Sequence, residues 1–190
     1  MNMKMLATVA VLALIAPPTR AEKVVPDPPP ATSCDVHGSG FSYTLEAPEG
    51  WVLECTEKPD EDVVAACWPK GSSWEDAATV MYVNDVEPHG TLDELVKSDV
   101  GSFQAKSAGL KVMDSPALPT GDGRSAVVKG FAGDANGNHE SVAYISAEKV
   151  FVIVAVSSRS ADGLTAALAA HASLVKSFHY TQDAPPPAKP

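Results

Sequence analysis

The chain has 190 residues, 45% of them hydrophobic, and a formal net charge of −10 at pH 7. This length fits one domain with tails, and the hydrophobic content is too high for a disordered chain. The negative charge argues against nucleic acid, which needs a basic surface, and against an anionic membrane surface.

The first 21 residues have the pattern of a secretory signal peptide. Lys4 supplies the positive start, residues 6–16 form an apolar run too short to cross a bilayer, and Ala21 ends a tolerable cleavage site. A retained membrane anchor is the alternative. We therefore expect a periplasmic or extracellular protein with no membrane span after cleavage.

Proline content separates tails from a domain. Residues 22–40 read as a proline-rich linker, and residues 181–190 as a proline-rich tail, because closely spaced prolines favour an extended backbone. Residues 41–180 remain as the folded domain.

The domain opens with predicted strands. Residues 41–45 alternate strictly between apolar and polar side chains, which is typical of a half-buried strand. Residues 51–55, 63–68 and 78–83 are three further predicted strands, separated by turns rich in Pro, Gly and Asp.

Three cysteines, Cys34, Cys55 and Cys67, would meet an oxidising compartment after export. If the second and third strands pair about a centre near Glu61, Cys55 falls opposite Cys67, within reach of a cross-strand disulfide. We therefore predict the pair Cys55–Cys67. Cys34 would then be free or would compete for one partner, since sequence alone does not settle connectivity.

A helix follows the fourth strand. Thr91 with Glu94 three residues later is a capping-box pattern, and apolar residues then recur at helical spacing up to Phe103. Residues 110–113 predict a short edge strand, because Pro116 follows closely.

The last third of the chain predicts two hairpins and a helix. Residues 125–131 and 140–146 are strands joined through Asn136-Gly137, a strong hairpin signal. Residues 150–156 are apolar at every position, as expected for a strand covered on both faces. Ser160 can cap a final helix that carries an apolar stripe up to Phe178.

Tight turns between most strands indicate a mainly antiparallel sheet. A central strand that is apolar on both faces needs a layer on each side, and two amphipathic helices can supply them. The sequence therefore predicts the α+β class, as an α/β/α sandwich with a mainly antiparallel β-sheet flanked by two main helices.

Several short motifs in a fixed order resemble the PsbP/Mog1-like superfamily, which includes the DcrB-like envelope proteins. They are Phe41-Ser42-Tyr43-Thr44-Leu45 leading into Pro48-Glu49-Gly50-Trp51, then Thr91-Leu92-Asp93-Glu94-Leu95, Asp122-Gly123-Arg124-Ser125-Ala126, Val142-Ala143-Tyr144-Ile145 and Val175-Lys176-Ser177-Phe178. The resemblance covers residues 41–180. It implies an α/β/α sandwich and, for most members, non-catalytic binding or assembly roles. Photosynthetic members can bind metal ions, but no matching metal motif stands here, so no site is carried over.

No catalytic or metal constellation emerges from the residues. No two of the five histidines have the i, i+4 spacing of a helical zinc site, and His171 on the last helix reads as a core histidine. The alternating Asp134, Asn136 and Asn138 suit a hairpin turn better than a calcium loop, whose glycine would stand elsewhere. Residues 60–62 are acidic and read as a solvated turn, with a weak site for a cation or a basic partner as the alternative. We predict no catalytic residue, cofactor or metal ligand.

Tryptophans supply the candidate binding surface. Trp51 reads as a core residue, whereas Trp68 and Trp74, if exposed, form the best candidate patch, because aromatic residues dominate interface hot spots.

We therefore expect an exported, non-enzymatic binding or assembly-accessory protein of the cell envelope, with a protein partner there. One alternative is a hydrolase whose site is assembled from dispersed residues such as His171, His89 and acidic side chains. Another is a cation-binding accessory protein.

Overall fold

The structure, a computed structural model, describes residues 32–55 and 63–182. The predicted signal peptide, the linker up to residue 31, the acidic residues 60–62 and the tail from residue 183 lie outside this part. The described chain contains ten strands and two helices, which confirms the α+β class. Their bounds are β1 Ser33–Gly38, β2 Phe41–Glu46, β3 Trp51–Cys55, β4 Val63–Pro69, β5 Thr79–Val86, α1 Leu92–Lys106, β6 Lys111–Pro119, β7 Ser125–Ala132, β8 His139–Ala147, β9 Val150–Ser158, α2 Ala161–Lys176 and β10 His179–Gln182.

Seven strands form the main sheet, in the order β3-β4-β5-β9-β8-β7-β6, with antiparallel pairing throughout. The uniformly apolar β9 is the middle strand, as its sequence predicted. It forms a hairpin with β8, in which Ala147 pairs with Val150 across the turn at Glu148 and Lys149. The edge position predicted for β6 is also confirmed, although the strand runs through Pro116 with a register irregularity between Ser115 and Leu118.

The two helices cover opposite faces of this sheet. On the face that we call the α2 face, Val154 of β9 packs in one core with Leu174 and Val175 of α2. On the α1 face, Ala155 of the same strand packs with Val96 of α1. The predicted caps are present, since Thr91 and Glu94 form a capping box on α1 and the Ser160 hydroxyl accepts from the amide of Gly163 on α2.

A second sheet, β1-β2-β10, packs over the same core as α2. Its middle strand β2 buries Tyr43, whose ring lies 5.3 Å from that of Phe178 between centroids. The predicted linker contains β1, and the predicted tail contains the last two residues of β10. Both strands are short and pair with β2. The folded domain therefore extends beyond residues 41–180 on both sides.

The predicted disulfide Cys55–Cys67 is wrong. In the pairing of β3 with β4, Cys67 lies opposite Leu53 and Cys55 lies opposite Ala65, a displacement of two residues from the predicted register. Cys55 is instead bonded to Cys34 of β1, with 5.6 Å between the Cα atoms, and Cys67 is a free, buried cysteine. The bond ties the three-stranded sheet to the edge of the seven-stranded sheet.

Candidate functional site

The strands β3, β4 and β5 bury only one of their two faces. On the α2 face their side chains are at most 1% exposed, namely Leu53, Ala65, Cys67, Met81 and Val83. On the α1 face the side chains of the same strands are partly or fully exposed, namely Val52, Glu54, Ala66, Trp68, Val80 and Tyr82. We call these six residues the open half-face.

The open half-face exists because α1 lies over the other half of the sheet. The residues buried beneath that helix belong to β7, β8 and β9, among them Phe131, Tyr144 and Ala155. Phe103 of α1 stacks on Phe131 with 4.4 Å between ring centroids. Tyr82 of β5 marks the border, since it packs only partly against this cluster.

Trp68 lies within the open half-face, directly opposite Val52 of β3. Trp74, in the loop after β4, is 37% exposed and lines a depression of about 310 Å³ together with Val80 and Ser157, which share the α1 face. The fold therefore brings both predicted patch residues to one side of the sheet. Trp51 packs against the core beneath the opposite face.

A groove separates the open half-face from α1. Its volume is about 210 Å³, and it runs between Tyr82 and Asn84 of β5 and the side of α1 that carries Asp99 and Lys106. The Tyr144 hydroxyl donates to Asp99 Oδ2 at 2.5 Å. The amide oxygen of Asn84 is buried and accepts no hydrogen bond within the described residues.

Acidic side chains lie in and near the groove. The pKa of the Tyr82 phenol is raised by burial and then by the negative charges of Glu140 and Asp99. The pKa of Glu140 is also raised, chiefly by burial and further by Asp134 and Asp99, against a hydrogen bond from Ser157 that lowers it. Asp99 is the acidic residue that lines the groove itself, and Lys106 is the basic one.

A larger cleft lies beside the disulfide. It holds about 1040 Å³ and is lined by Cys34 and Cys55, by the carboxylates Asp35, Asp85, Glu87 and Glu148, and by Lys149 and His37. Two of these carboxylates already have partners. Asp85 accepts from the Tyr43 hydroxyl at 3.4 Å, and Glu148 pairs with Arg124 at 2.8 Å.

The residues suggested for a dispersed enzyme site are not brought together. His171 is buried in α2 on one face of the sheet, with Nε2 at 2.9 Å from the carbonyl oxygen of Val154. His89 is exposed in the loop before α1, on the other face. Burial lowers the pKa of His171, against the hydrogen bond to Val154, so this imidazole is neutral.

The hairpin between β7 and β8 uses its oxygen ligands internally. Asp134 Oδ1 accepts from the amides of Asn136 and Asn138 at 2.8 and 2.7 Å, and Gly137 takes a φ of 81° that completes the turn. Burial raises the pKa of Asp134, but these hydrogen bonds outweigh it, and the net pKa is lowered. The side chains of Asp134 and Asn138 thus hold the turn together.

Between residues 32–55 and 63–182, no group of three or more His, Cys, Asp or Glu side chains is arranged to hold a metal ion. Neither described helix combines the length and apolarity needed to cross a membrane.

No protein-family model and no curated protein matches the chain. Solved structures do resemble it. The cyanobacterial PsbP (CyanoP) of Synechocystis sp. PCC 6803 has a TM-score of 0.49 and 14% identity, over 84% of this chain and 98% of that protein. LpqN of Mycobacterium tuberculosis, involved in cell envelope biogenesis, has a TM-score of 0.49 and 14% identity, over 78% and 90%. A variant of Mog1 has a TM-score of 0.46 and 14% identity, over 78% and 96%.

PsbP and Mog1, the two names of the superfamily that the sequence resembles, both occur among these structures. The numbers express a likeness of fold at low identity. What these proteins bind or assemble remains a statement about them.

Sequence reasoning found the two tryptophans but missed the rest of the site. Val52, Tyr82 and Asn84 were interpreted only as parts of strands. A signal was present, because β5 carries apolar or aromatic side chains on both faces, as a strand covered twice would. The sequence does not reveal which strands α1 covers, and in the described chain no helix covers the α1 face of β3 and β4.

Proposed function

We propose that the chain is an exported, non-enzymatic binding or assembly-accessory protein that holds a protein partner on the open half-face. The observation that carries this proposal is the partial exposure of Trp68 and its neighbours on strands whose opposite face contributes Leu53, Cys67 and Met81 to the buried core. Apolar patches rimmed by polar residues mark interaction sites, and tryptophan is enriched among the residues that dominate binding energy.

The size of the surface suits a helix of the partner. Neighbouring strands lie about 4.8 Å apart, so three strands span about 10 Å between the outer two axes. A helix with its side chains is about 10–12 Å across. A partner helix laid beside α1 would therefore cover β3, β4 and β5 and complete the sandwich on this face.

The charge of the surface selects the partner's polar residues. Glu54 stands exposed within the open half-face, and Asp99 and Glu140 contribute negative charge at its border. The whole chain carries −10. A partner helix with an apolar stripe and basic flanks is complementary, because opposite potentials steer encounter and fix orientation.

Export is supported by two independent features. The first 21 residues have signal-peptide character, and the Cys34–Cys55 bond is of the kind that persists in oxidising compartments. Mass spectrometry of the chain isolated from its source cells tests this step. We expect a mature protein that begins at Glu22, and an intact N-terminus recovered from the cytosol would contradict export.

Capture by the purified mature chain tests the binding face. The mature wild-type chain, the variant Trp68→Ala and the control Leu168→Ala are immobilised, and envelope extract is passed over each. Leu168 is the matched control, since it is an exposed large apolar side chain on α2, across the sheet from the open half-face.

We expect one protein to be enriched by the wild type and by Leu168→Ala, and to be lost with Trp68→Ala. The partner is then purified and its affinity for each variant measured. Equal affinity for Trp68→Ala and the wild type would overturn the proposed location of the site.

A further inference from the structure

The groove between α1 and β5 is lined by residues with unused hydrogen-bond acceptors. Asp99 receives the Tyr144 hydroxyl on one carboxylate oxygen, and the amide oxygen of Asn84 receives nothing from the described residues. A buried acceptor without a donor is destabilising, because its hydration has been lost without replacement. The groove therefore favours a guest that donates hydrogen bonds.

The charges in the groove favour a donor that is positive. Asp99 lines it, and Glu140 lies near enough to raise the pKa of Tyr82 together with Asp99. Lys106 is the one cation among the lining residues; its side chain is exposed and forms no ion pair within the described chain. The acidic groups of the groove thus lack a cation that is held in place.

The walls of the groove suit a long aliphatic stem. Phe103 of α1 and Ile153 and Val142 of the sheet supply apolar surface between the polar groups. Lysine and arginine bury their methylene stems against such surface while the charged end reaches polar partners. A volume of about 210 Å³ accommodates one side chain and is too small for a second helix.

We propose that this groove is an anchor pocket for one lysine or arginine side chain of the partner, whose cation pairs with Asp99 and donates to Asn84. This inference rests on the proposed function, since the open half-face beside the groove presents the partner. The Asn84 oxygen is shielded from water in the unbound protein, so the cation meets Asp99 first and reaches Asn84 as the adjoining side chains move aside.

A pair of probes that differ only in the charged group tests the pocket without the partner. Nα-acetyl-lysine N-methylamide is titrated into the ¹⁵N-labelled mature chain, and Nα-acetyl-norleucine N-methylamide serves as the neutral control. We expect the lysine probe, and not the norleucine probe, to shift the amide resonances of Tyr82, Asn84 and Ser102 in the millimolar range. Equal shifts from both probes, or no shift at these residues, would overturn the proposal.

Two variants locate the cation. Asp99→Asn removes the charge and keeps an acceptor for Tyr144, and should weaken the lysine probe at least about tenfold, the factor that corresponds to about 1.4 kcal/mol. Asp93→Asn is the matched control, an exposed acid in the first turn of α1, and should leave the affinity unchanged. Equal loss in both variants would mean that only the net charge matters and would reject the pocket.

The outcome separates this inference from the function on which it rests. If the lysine probe fails while Trp68→Ala still abolishes partner capture, the anchor pocket is rejected and the binding face stands. If the probe binds while Trp68→Ala has no effect, the groove is a cation site but the open half-face is not the partner's surface.

Discussion

Trp68 lies directly opposite Val52 in the pairing of β3 with β4. Both residues belong to the open half-face, the half of the α1 face that the helix does not cover. One residue further along each strand, Leu53 lies opposite Cys67, and both are buried. The same two strands thus pack a finished core on one side and present an apolar surface on the other.

Two valines of β5 test the difference between the faces with one kind of change. Val83 is 1% exposed on the α2 face, whereas Val80 is partly exposed on the α1 face. Val83→Ala should lower the free energy of unfolding by about 2–3 kcal/mol, since it removes buried methyl groups and leaves a cavity. Val80→Ala should lower it by under about 1 kcal/mol. Urea unfolding measures both, and equal losses would mean that the open half-face is covered within the chain.

The Cys34–Cys55 disulfide should be detectable by peptide mapping and should contribute to the free energy of unfolding. The bond closes a sequence separation of 21 residues, so Cys34→Ser should lower the free energy of unfolding by about 3 kcal/mol. Non-reducing peptide mapping should recover Cys34 linked to Cys55. Recovery of a Cys55–Cys67 peptide would contradict the observed register of β3 and β4.

Cys67 should be inert in the folded protein. Burial raises the pKa of its thiol to about 12, and the thiolate is the reactive form. We expect no labelling by iodoacetamide at pH 8 in the native state, and one equivalent after unfolding without reductant. Rapid native labelling at Cys67 would show that the α2 face opens readily.

His171 should make the protein less stable in mild acid. Its folded pKa lies below the value of 6.5 in the unfolded chain, chiefly because of burial. Above pH 6.5 the imidazole is neutral in both states and the full stability is present. As the pH falls below 6.5, the unfolded chain binds a proton at this imidazole and the folded chain does not. The free energy of unfolding therefore declines until the pH reaches the folded pKa. Thermal unfolding between pH 7 and pH 5 measures this decline.

The variant His171→Gln, which retains a donor for the carbonyl of Val154, should show a smaller decline over the same range. His89→Gln is the control, because His89 is exposed and should leave the decline unchanged. NMR titration of the His171 ring in the native chain supplies a direct check, and a ring pKa at or above 6.5 would contradict the expected lowering.

The N-cap of α1 should influence both stability and the groove, since it fixes the helix that forms one wall. The Thr91 hydroxyl accepts from the amide of Glu94. Thr91→Ala should cost about 1 kcal/mol of unfolding free energy, whereas Thr91→Ser keeps the acceptor and should cost much less. Equal losses measured by chemical unfolding would show that the methyl group, and not the cap, matters.

Features that depend on residues close together in the sequence were predictable, and features that depend on distant residues were not. The β8–β9 hairpin, the capping box and the layer order depend on local patterns, and all were predictable. The register of β3 and β4 was not, because a slip of two residues keeps every side chain on its own face and so leaves the hydrophobic alternation unchanged. This slip placed Cys67 opposite Cys55, and the assignment of β1 to the linker left Cys34 without a place in the sheet, so the predicted disulfide had the wrong partner.

The site was less predictable than the fold. The tryptophans stood out by residue type, but the open half-face depends on which strands α1 covers. The apolar stripe of α1 shows that the helix packs on a sheet and says nothing about which half of it. Asn84 and Asp99 meet across a groove that only this placement creates.

Photocrosslinking in the source cells directly tests whether a partner binds at the open half-face. Benzoylphenylalanine is placed at Glu54 or Ala66 on the open half-face, and at two exposed control positions, Lys97 on the outer side of α1 and Ala169 on α2. We expect one adduct of the same mass from Glu54 and Ala66, lost when Trp68→Ala is added, and none from Lys97 or Ala169. The same adduct from all four positions, or an adduct from the two control positions alone, would contradict this expectation.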